Sequence, residues 1–402
     1  MVLEARHQIA VPGEIGAVAL GAGGSLAAVT VARSGVLLFE IYGETIRPGG
    51  SLDLSPSPGR PAGPDLERIW IGFETVAFLD DQTLLVARGV RRWYRADPPR
   101  APVPAEECFT TDLAALCLRT GASLGEFRDS PCDPPWTPPL PIGDGRVLFN
   151  PTSTVICVEV PSFREAWRVR RVEGEEIVPP EEGALGDEQA APNGLAYDAA
   201  SGILYVLWRV HREAFLQTYR IDPGAHGFTR LGRRSVLRGH EAAGLCLNPD
   251  GTGVTGWFLT DQEIVRDDRP PGEQAPPATA RLGMLGIFGP DEDRFVEVFS
   301  DVDRDFACSP HLGAGADPDG PLVPAGFTVG VDFHYCRPFY LAPGRVAVNT
   351  PGGLLLGVDT DSGRAEVLHD FHAPIVALDH HPATRRLLVG CEGGRLALLS
   401  WV

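Results

Sequence analysis

The feature that most constrains this chain is a repeat that stops one strand short at one end and a spare strand at the other. Ile375-Val376-Ala377-Leu378-Asp379, Arg386-Leu387-Leu388-Val389-Gly390 and Arg395-Leu396-Ala397-Leu398-Leu399 read as three consecutive strands, with a turn at His381-Pro382-Ala383-Thr384. No fourth follows. At the other end, Val2-Leu3-Glu4-Ala5-Arg6-His7-Gln8-Ile9 alternates and leads straight into Ala17-Val18-Ala19-Leu20. A first strand that completes the last sheet closes a ring and removes the exposed edges that would otherwise pair with other chains.

The rest of the chain is built from the same material. Its 47 Gly and 37 Pro separate short apolar runs, and no long stretch has helical periodicity. The strands recur in groups of four, as blades do. Inner strands are expected to begin near Ala17, Thr75, Pro141, Gly194, Ala243, Pro338 and Ile375. The fold class is therefore all-β: a seven-bladed β-propeller in one domain, 1–402, closed by the N-terminal strand. The third blade, Arg146-Val147-Leu148-Phe149 with Val155-Ile156-Cys157-Val158, has the weakest pattern and leaves six or eight blades as alternatives.

Leu237-Arg238-Gly239-His240-Glu241-Ala242-Ala243-Gly244-Leu245-Cys246-Leu247-Asn248-Pro249-Asp250-Gly251 has a Gly-His pair, a strand and a Pro-Asp-Gly turn in that order. In this it resembles the WD-repeat family. Cys117-Leu118-Arg119-Thr120-Gly121-Ala122-Ser123-Leu124-Gly125-Glu126-Phe127 resembles that family's third and fourth strands. The Trp-Asp dipeptide is missing from every blade, and Gly-His occurs once. The resemblance implies a propeller and the binding-platform class, and it assigns no activity.

Blade connectivity sorts the loops. Links from strand two to three, and from strand four to the next blade, share one face; the other links share the opposite face. The latter are short, as at 21–24, 80–82, 198–201 and 249–252. The long inserts, 55–72, 95–112, 129–140, 171–192, 260–281 and 301–336, are all of the first kind. They hold 128 residues and a net charge of −17, against −18 for the whole chain. Loops on a rigid scaffold commonly carry function. Solubility is the plainer explanation of an acidic loop, but it does not account for six on one face.

Composition excludes several functions. All 35 basic residues are Arg, so Schiff-base chemistry and a P-loop phosphate clamp have no Lys to use. The acidity argues against binding nucleic acid or an anionic membrane. No apolar run is long enough for a membrane span, and the N-terminus lacks a signal peptide's apolar stretch. The eight Cys show no C-x-x-C spacing, and with Cys117, Cys157, Cys246 and Cys391 inside strands they read as free thiols of a cytoplasmic protein. High Arg, Ala, Gly and Pro without Lys points to a bacterial, GC-rich genome.

Metal-ligand patterns are incomplete. Asp301-Val302-Asp303-Arg304-Asp305 alternates carboxylates as a calcium loop does, but Phe306 stands where the loop needs Gly and Leu312 where it needs an acid. Pro192-Asn193-Gly194-Leu195-Ala196-Tyr197-Asp198, with Ile203-Leu204-Tyr205-Val206, resembles a segment of gluconolactonase-type six-bladed propellers. Those hold a divalent metal in the central channel with a Glu and several Asn or Asp. The resemblance implies Asn193 as one ligand, with Glu14 as the candidate Glu. The chain has four Asn in all (Asn150, Asn193, Asn248 and Asn349), and Asn-Gly also suits a plain blade entry.

His369 and His372 fall at a strand end and loop, and His380-His381 on the opposite face, as surface histidines. Arg88, Arg91, Arg92 and Arg95 around Trp93-Tyr94 read as a hairpin whose arginines pair with acidic inserts, not as a single-strand nucleic-acid site. No Gly-x-Ser-x-Gly elbow occurs.

The expected function is a monomeric protein-interaction scaffold without cofactor. A basic protein partner would bind the insert face through Glu175, Glu176, Glu181, Glu182, Asp301, Asp303 and Asp305, with Trp70 and Trp136 as aromatic anchors. The alternative is a lactonase-like hydrolase with Ca2+ or Zn2+ at Asn193 and Glu14.

Overall fold

The computed structural model describes residues 3–31, 35–52, 71–91, 109–129, 137–150, 154–170, 191–210, 213–221, 227–238, 240–251, 253–260, 280–289, 293–300, 337–350 and 353–401. These residues form seven four-stranded antiparallel sheets. In six of them the strands follow chain order from the axis outward. The inner strands are Ile15–Leu20, Ile71–Asp80, Leu140–Gly143, Ala191–Asp198, His240–Leu247 and Phe339–Ala342. The seventh begins with Ile375–His381, and its fourth strand is Leu3–Ala10.

The expected closure is present. Leu3 pairs with Trp401, Ala5 with Leu399 and Ala10 with Arg395, in an antiparallel ladder with one register shift between Ala5 and His7.

Packing decides the blade number. Seven hydrophobic clusters form, each filled from two neighbouring blades, and the last joins blade 7 back to blade 1. No interface is left over, so six and eight are excluded. The third blade is complete, with Val147, Leu148, Phe149, Val155, Ile156, Cys157 and Val158 all fully buried.

The same arrangement explains the composition of the strands. In Arg386–Cys391, Leu387 and Val389 point into the cluster shared with blade 6, while Leu388 points into the one shared with blade 1. A strand alternates its side chains between two faces, and here both faces are interior, so both sets of positions are apolar.

Some strands run further than expected into the inserts. Ile71 and Gly72 belong to the inner strand of blade 2, and Asp112, 6% exposed, lies within Phe109–Cys117. Asp112 is thus part of a sheet, not of an acidic face, because it pairs with Arg88 in the ladder.

Candidate functional site

The strand ends that the six inserts join all open on the same face. Each insert leaves an outer or a second strand and enters the next inner or third strand: Thr45–Leu52 to Ile71–Asp80, Thr83–Arg91 to Phe109–Cys117, and so on around the ring to Asp293–Ser300 and Phe339–Ala342. Glu175, Glu176, Glu181, Glu182, Asp301, Asp303, Asp305, Trp70 and Trp136 lie outside the described residues.

Among the described short links of the same kind, two are tightly built. The link from blade 6 to blade 7 contains Asp370, whose carboxylate accepts the His372 N–H at 2.8 Å and stands 3.1 Å from His372 Nδ1. His369 packs edge-on against Phe371 at 4.5 Å, and burial lowers its pKa, opposed by Asp370 and aided to a smaller extent by His372. The link between the closing strand and blade 1 is held by Val11 N–H donating to Gly394 O at 2.7 Å.

Among the described residues no group of three or more His, Cys, Asp or Glu could hold a metal. Glu14 is exposed in the entry to blade 1. Asn193 sits where the register shifts between Pro192 and Gly194, a bulge repeated between Ile15 and Ala17, Ala242 and Gly244, and Ile375 and Ala377. Gly16, Ala243 and Val376 fill that position in the other blades, so the backbone, not an amide, is what the position requires. The following glycine is also structural: a Cβ on Gly194 would lie 2.7 Å from Leu245 Cβ in the inner strand of blade 5. Of the other asparagines, Asn150 is fully buried and accepts from the Thr137 hydroxyl at 2.7 Å, and Asn248 accepts from the Thr255 hydroxyl at 2.7 Å.

The histidines divide differently from the sequence expectation. His380 is half-buried. It is the last but one residue of the inner strand of blade 7, stacked on Phe339 of blade 6 with ring centroids 4.7 Å apart. Burial pushes its pKa down to about 4, with Arg337 and His381 adding to the effect. His381 caps the turn Pro382–Thr384: its Nδ1 accepts from Thr384 N–H at 3.2 Å, and its Nε2 lies 2.6 Å from Ala22 O in blade 1. Alternation should have shown that His380, two positions after Leu378, can face an interior as Leu378 does.

Of the cysteines, Cys117, Cys157, Cys246 and Cys391 are free thiols. Cys108 and Cys132 lie outside the described residues, as do Arg92, Trp93, Tyr94 and Arg95.

No family model matches the chain, and no curated protein matches it. The architecture bears out the WD-repeat-like resemblance at the level of the fold, and it is consistent with a protein-interaction scaffold. No helix among the described residues is long and apolar enough to cross a membrane.

Proposed function

We propose that the chain is a protein-interaction scaffold whose insert-bearing face binds a basic protein partner. The observation that carries this reading is the division of charge: −17 of the net −18, Asp112 of the sheet included, lies in six sequence intervals that each join a second strand to a third or an outer strand to the next inner one. A rigid ring supplies fixed attachment points, and acidic segments raised on it steer a basic surface by long-range attraction. Trp70 and Trp136 supply apolar contact, since aromatic anchors within a polar rim are where binding energy concentrates. Glu175, Glu176, Glu181 and Glu182 in one insert, and Asp301, Asp303 and Asp305 in another, supply the charge.

The test is charge reversal of each set, with association rates to a basic partner captured from the native cell. Rates fall in at least one variant, the fold is intact, and high salt weakens the difference. Normal binding by both variants, with binding lost on substituting Arg385 on the short-loop face, overturns the assignment of the face.

A further inference from the structure

Among the described side chains, every histidine lies in blade 7 or in the end of blade 6 that leads into it: His7, His369, His372, His380 and His381. Four of them occupy settings that suit a neutral ring. His7, in Leu3–Ala10, uses Nδ1 to accept the Ile46 N–H of blade 1 at 3.1 Å. A backbone N–H only donates, so this bond requires an Nδ1 without a proton. His381 meets the same condition: its Nδ1 accepts the Thr384 N–H, which leaves the proton on Nε2, facing Ala22 O of blade 1. A proton added to either Nδ1 sets two donors face to face. The Thr384 hydroxyl, 3.0 Å from His381 Nδ1, can turn to accept that proton. No such exchange is open to the backbone N–H of Ile46, so His7 is the more sensitive of the two.

On the blade 6 side the neutral form is favoured by packing. His380 is stacked on Phe339, and His369 is edge-on to Phe371. Burial lowers the pKa of both, to about 4 for His380. Their stabilisation is present above the ordinary histidine range and is lost as the pH falls through the lowered values. His372, with Nδ1 3.1 Å from the Asp370 carboxylate, is the exception.

The charged groups around these rings are few. Arg6 and Glu44 pair at 3.1 Å beside His7, Arg47 follows Ile46 in its strand, and Arg386 donates to Gly43 O in the adjoining turn. Asp379, Arg385 and Arg386 are the charged residues nearest His381 in blade 7, and the turn 21–24 that it meets in blade 1 has none. Arg337 and His381 act on His380, and Asp370 and His372 on His369. Burial raises the pKa of Asp379, so acid relieves a cost there and offsets part of the loss.

Blade 7 is also the one blade assembled from both ends of the chain. Its outer strand is joined to its third strand by hydrogen bonds alone, so it can part without breaking a covalent link. Local opening is drawn from such weakly tethered units.

We propose that blade 7 is an acid-sensitive gate in the ring: protonation of its histidines parts Leu3–Ala10 from Arg395–Trp401 and from blade 1, while blades 2 to 5 stay folded. The gate does not rest on the insert face or on the partner assigned to it.

The experiment is hydrogen exchange of the full chain at about pH 7.5 and about pH 4.5, corrected for the intrinsic change in exchange rate. At the lower pH, protection of Leu3–Ala10 and Ile375–His381 falls about tenfold further than that of Thr83–Arg91 and Ile203–Val210, the equivalent of one pKa unit. H7N and H381N put an amide oxygen in place of the Nδ1 acceptor and cannot take up the proton, and H380F keeps a ring on Phe339. The triple variant, with the melting temperature of the parent at neutral pH, loses most of the difference. H7N alone reduces the response of Leu3–Ala10. An equal fall in all blades is global unfolding and overturns the gate, as does no fall at all. A parent-like response of the triple variant assigns the effect to carboxylates and overturns it too. An undiminished response of Leu3–Ala10 in H7N overturns the role of His7.

Discussion

The Asp379 carboxylate accepts the backbone N–H of Leu20 at 2.7 Å, bonding the inner strand of blade 7 to that of blade 1 across the seam where the ring closes. The seam is fastened along its whole width. Arg386 donates to Gly24 O and to Gly43 O at 2.7 Å, His7 Nδ1 accepts the Ile46 N–H at 3.1 Å, and Arg6 bridges Ser400 and Glu44. The chain passes directly from Leu3–Ala10 of blade 7 to Ile15–Leu20 of blade 1, so the break in the ring lies within blade 7, between Leu3–Ala10 and Arg395–Trp401. The ladder of the first strand with Arg395–Trp401 closes that break.

Removing residues 1–10 should therefore cost more than fraying an end. It strips the outer strand from blade 7 and exposes an edge of Arg395–Trp401. The truncated chain is expected to aggregate or to melt at a sharply lower temperature than the parent. Equal melting curves would mean that the closing strand contributes nothing.

Acid should weaken the same region through His380. Its pKa falls from 6.5 to about 4 on folding, so the folded chain favours the neutral ring. The stabilisation is present above pH 6.5 and is lost as the pH falls through about 4. The full effect is about 3 kcal/mol. Asp379 acts in the opposite sense: burial raises its pKa despite bonds from Leu20 and His380 N–H, so protonation relieves a cost and offsets part of the loss. Denaturant unfolding of the parent and of H380F, at neutral pH and near pH 4, isolates the histidine. The stability gap between the two should move in favour of H380F as the pH falls; an unchanged gap refutes the buried neutral ring.

Thiol reactivity should follow burial. Cys157 and Cys246 are pushed up to about 12 and Cys391 to about 11, all by burial first. Cys117 is lowered by a hydrogen bond with the Thr120 side chain and by backbone N–H groups. A thiolate reagent applied to the native protein should label Cys117 well before the other three. Peptide mapping after short exposure checks the order, and early labelling of Cys391 would contradict it.

Gly363 should be the more sensitive of two glycines with similar backbone angles. At φ +71°, a Cβ there would stand 1.9 Å from Glu297 O of blade 5. At Gly43, φ +58°, nothing lies within 4 Å of a Cβ. G43A should cost about 1 kcal/mol, from backbone strain alone. G363A should cost more, about 2 kcal/mol or above, because blades 5 and 6 must separate. Urea midpoints with unchanged slopes measure both.

Much of the fold was legible because a propeller repeats one local pattern. All seven inner strands were placed within a few residues, from turn chemistry and from apolar runs that need no long-range information. The run at Val155-Ile156-Cys157-Val158 looked ambiguous because a strand buried on both faces loses the alternation that marks a half-buried one. The candidate site was less legible. Asn193-Gly194 matched a metal-site string, yet the match reflects a bulge and a close approach to Leu245. The packing of Trp167 against Phe228 between blades 3 and 4 gave no signal, because the two are far apart in sequence and each looks like ordinary core.

The sequence by itself determined the strand positions, the closure by the first strand and the placing of the inserts between particular strands. Those depend on local turn preferences and on connectivity. The tertiary structure decided the number of blades, through seven interfaces that leave no gap, and the burial of His380 against Phe339. It also decided which polar groups lack partners at the rim of blades 3 and 4. These are set by how neighbouring sheets face one another, and no spacing along a single chain encodes the distance between two sheets.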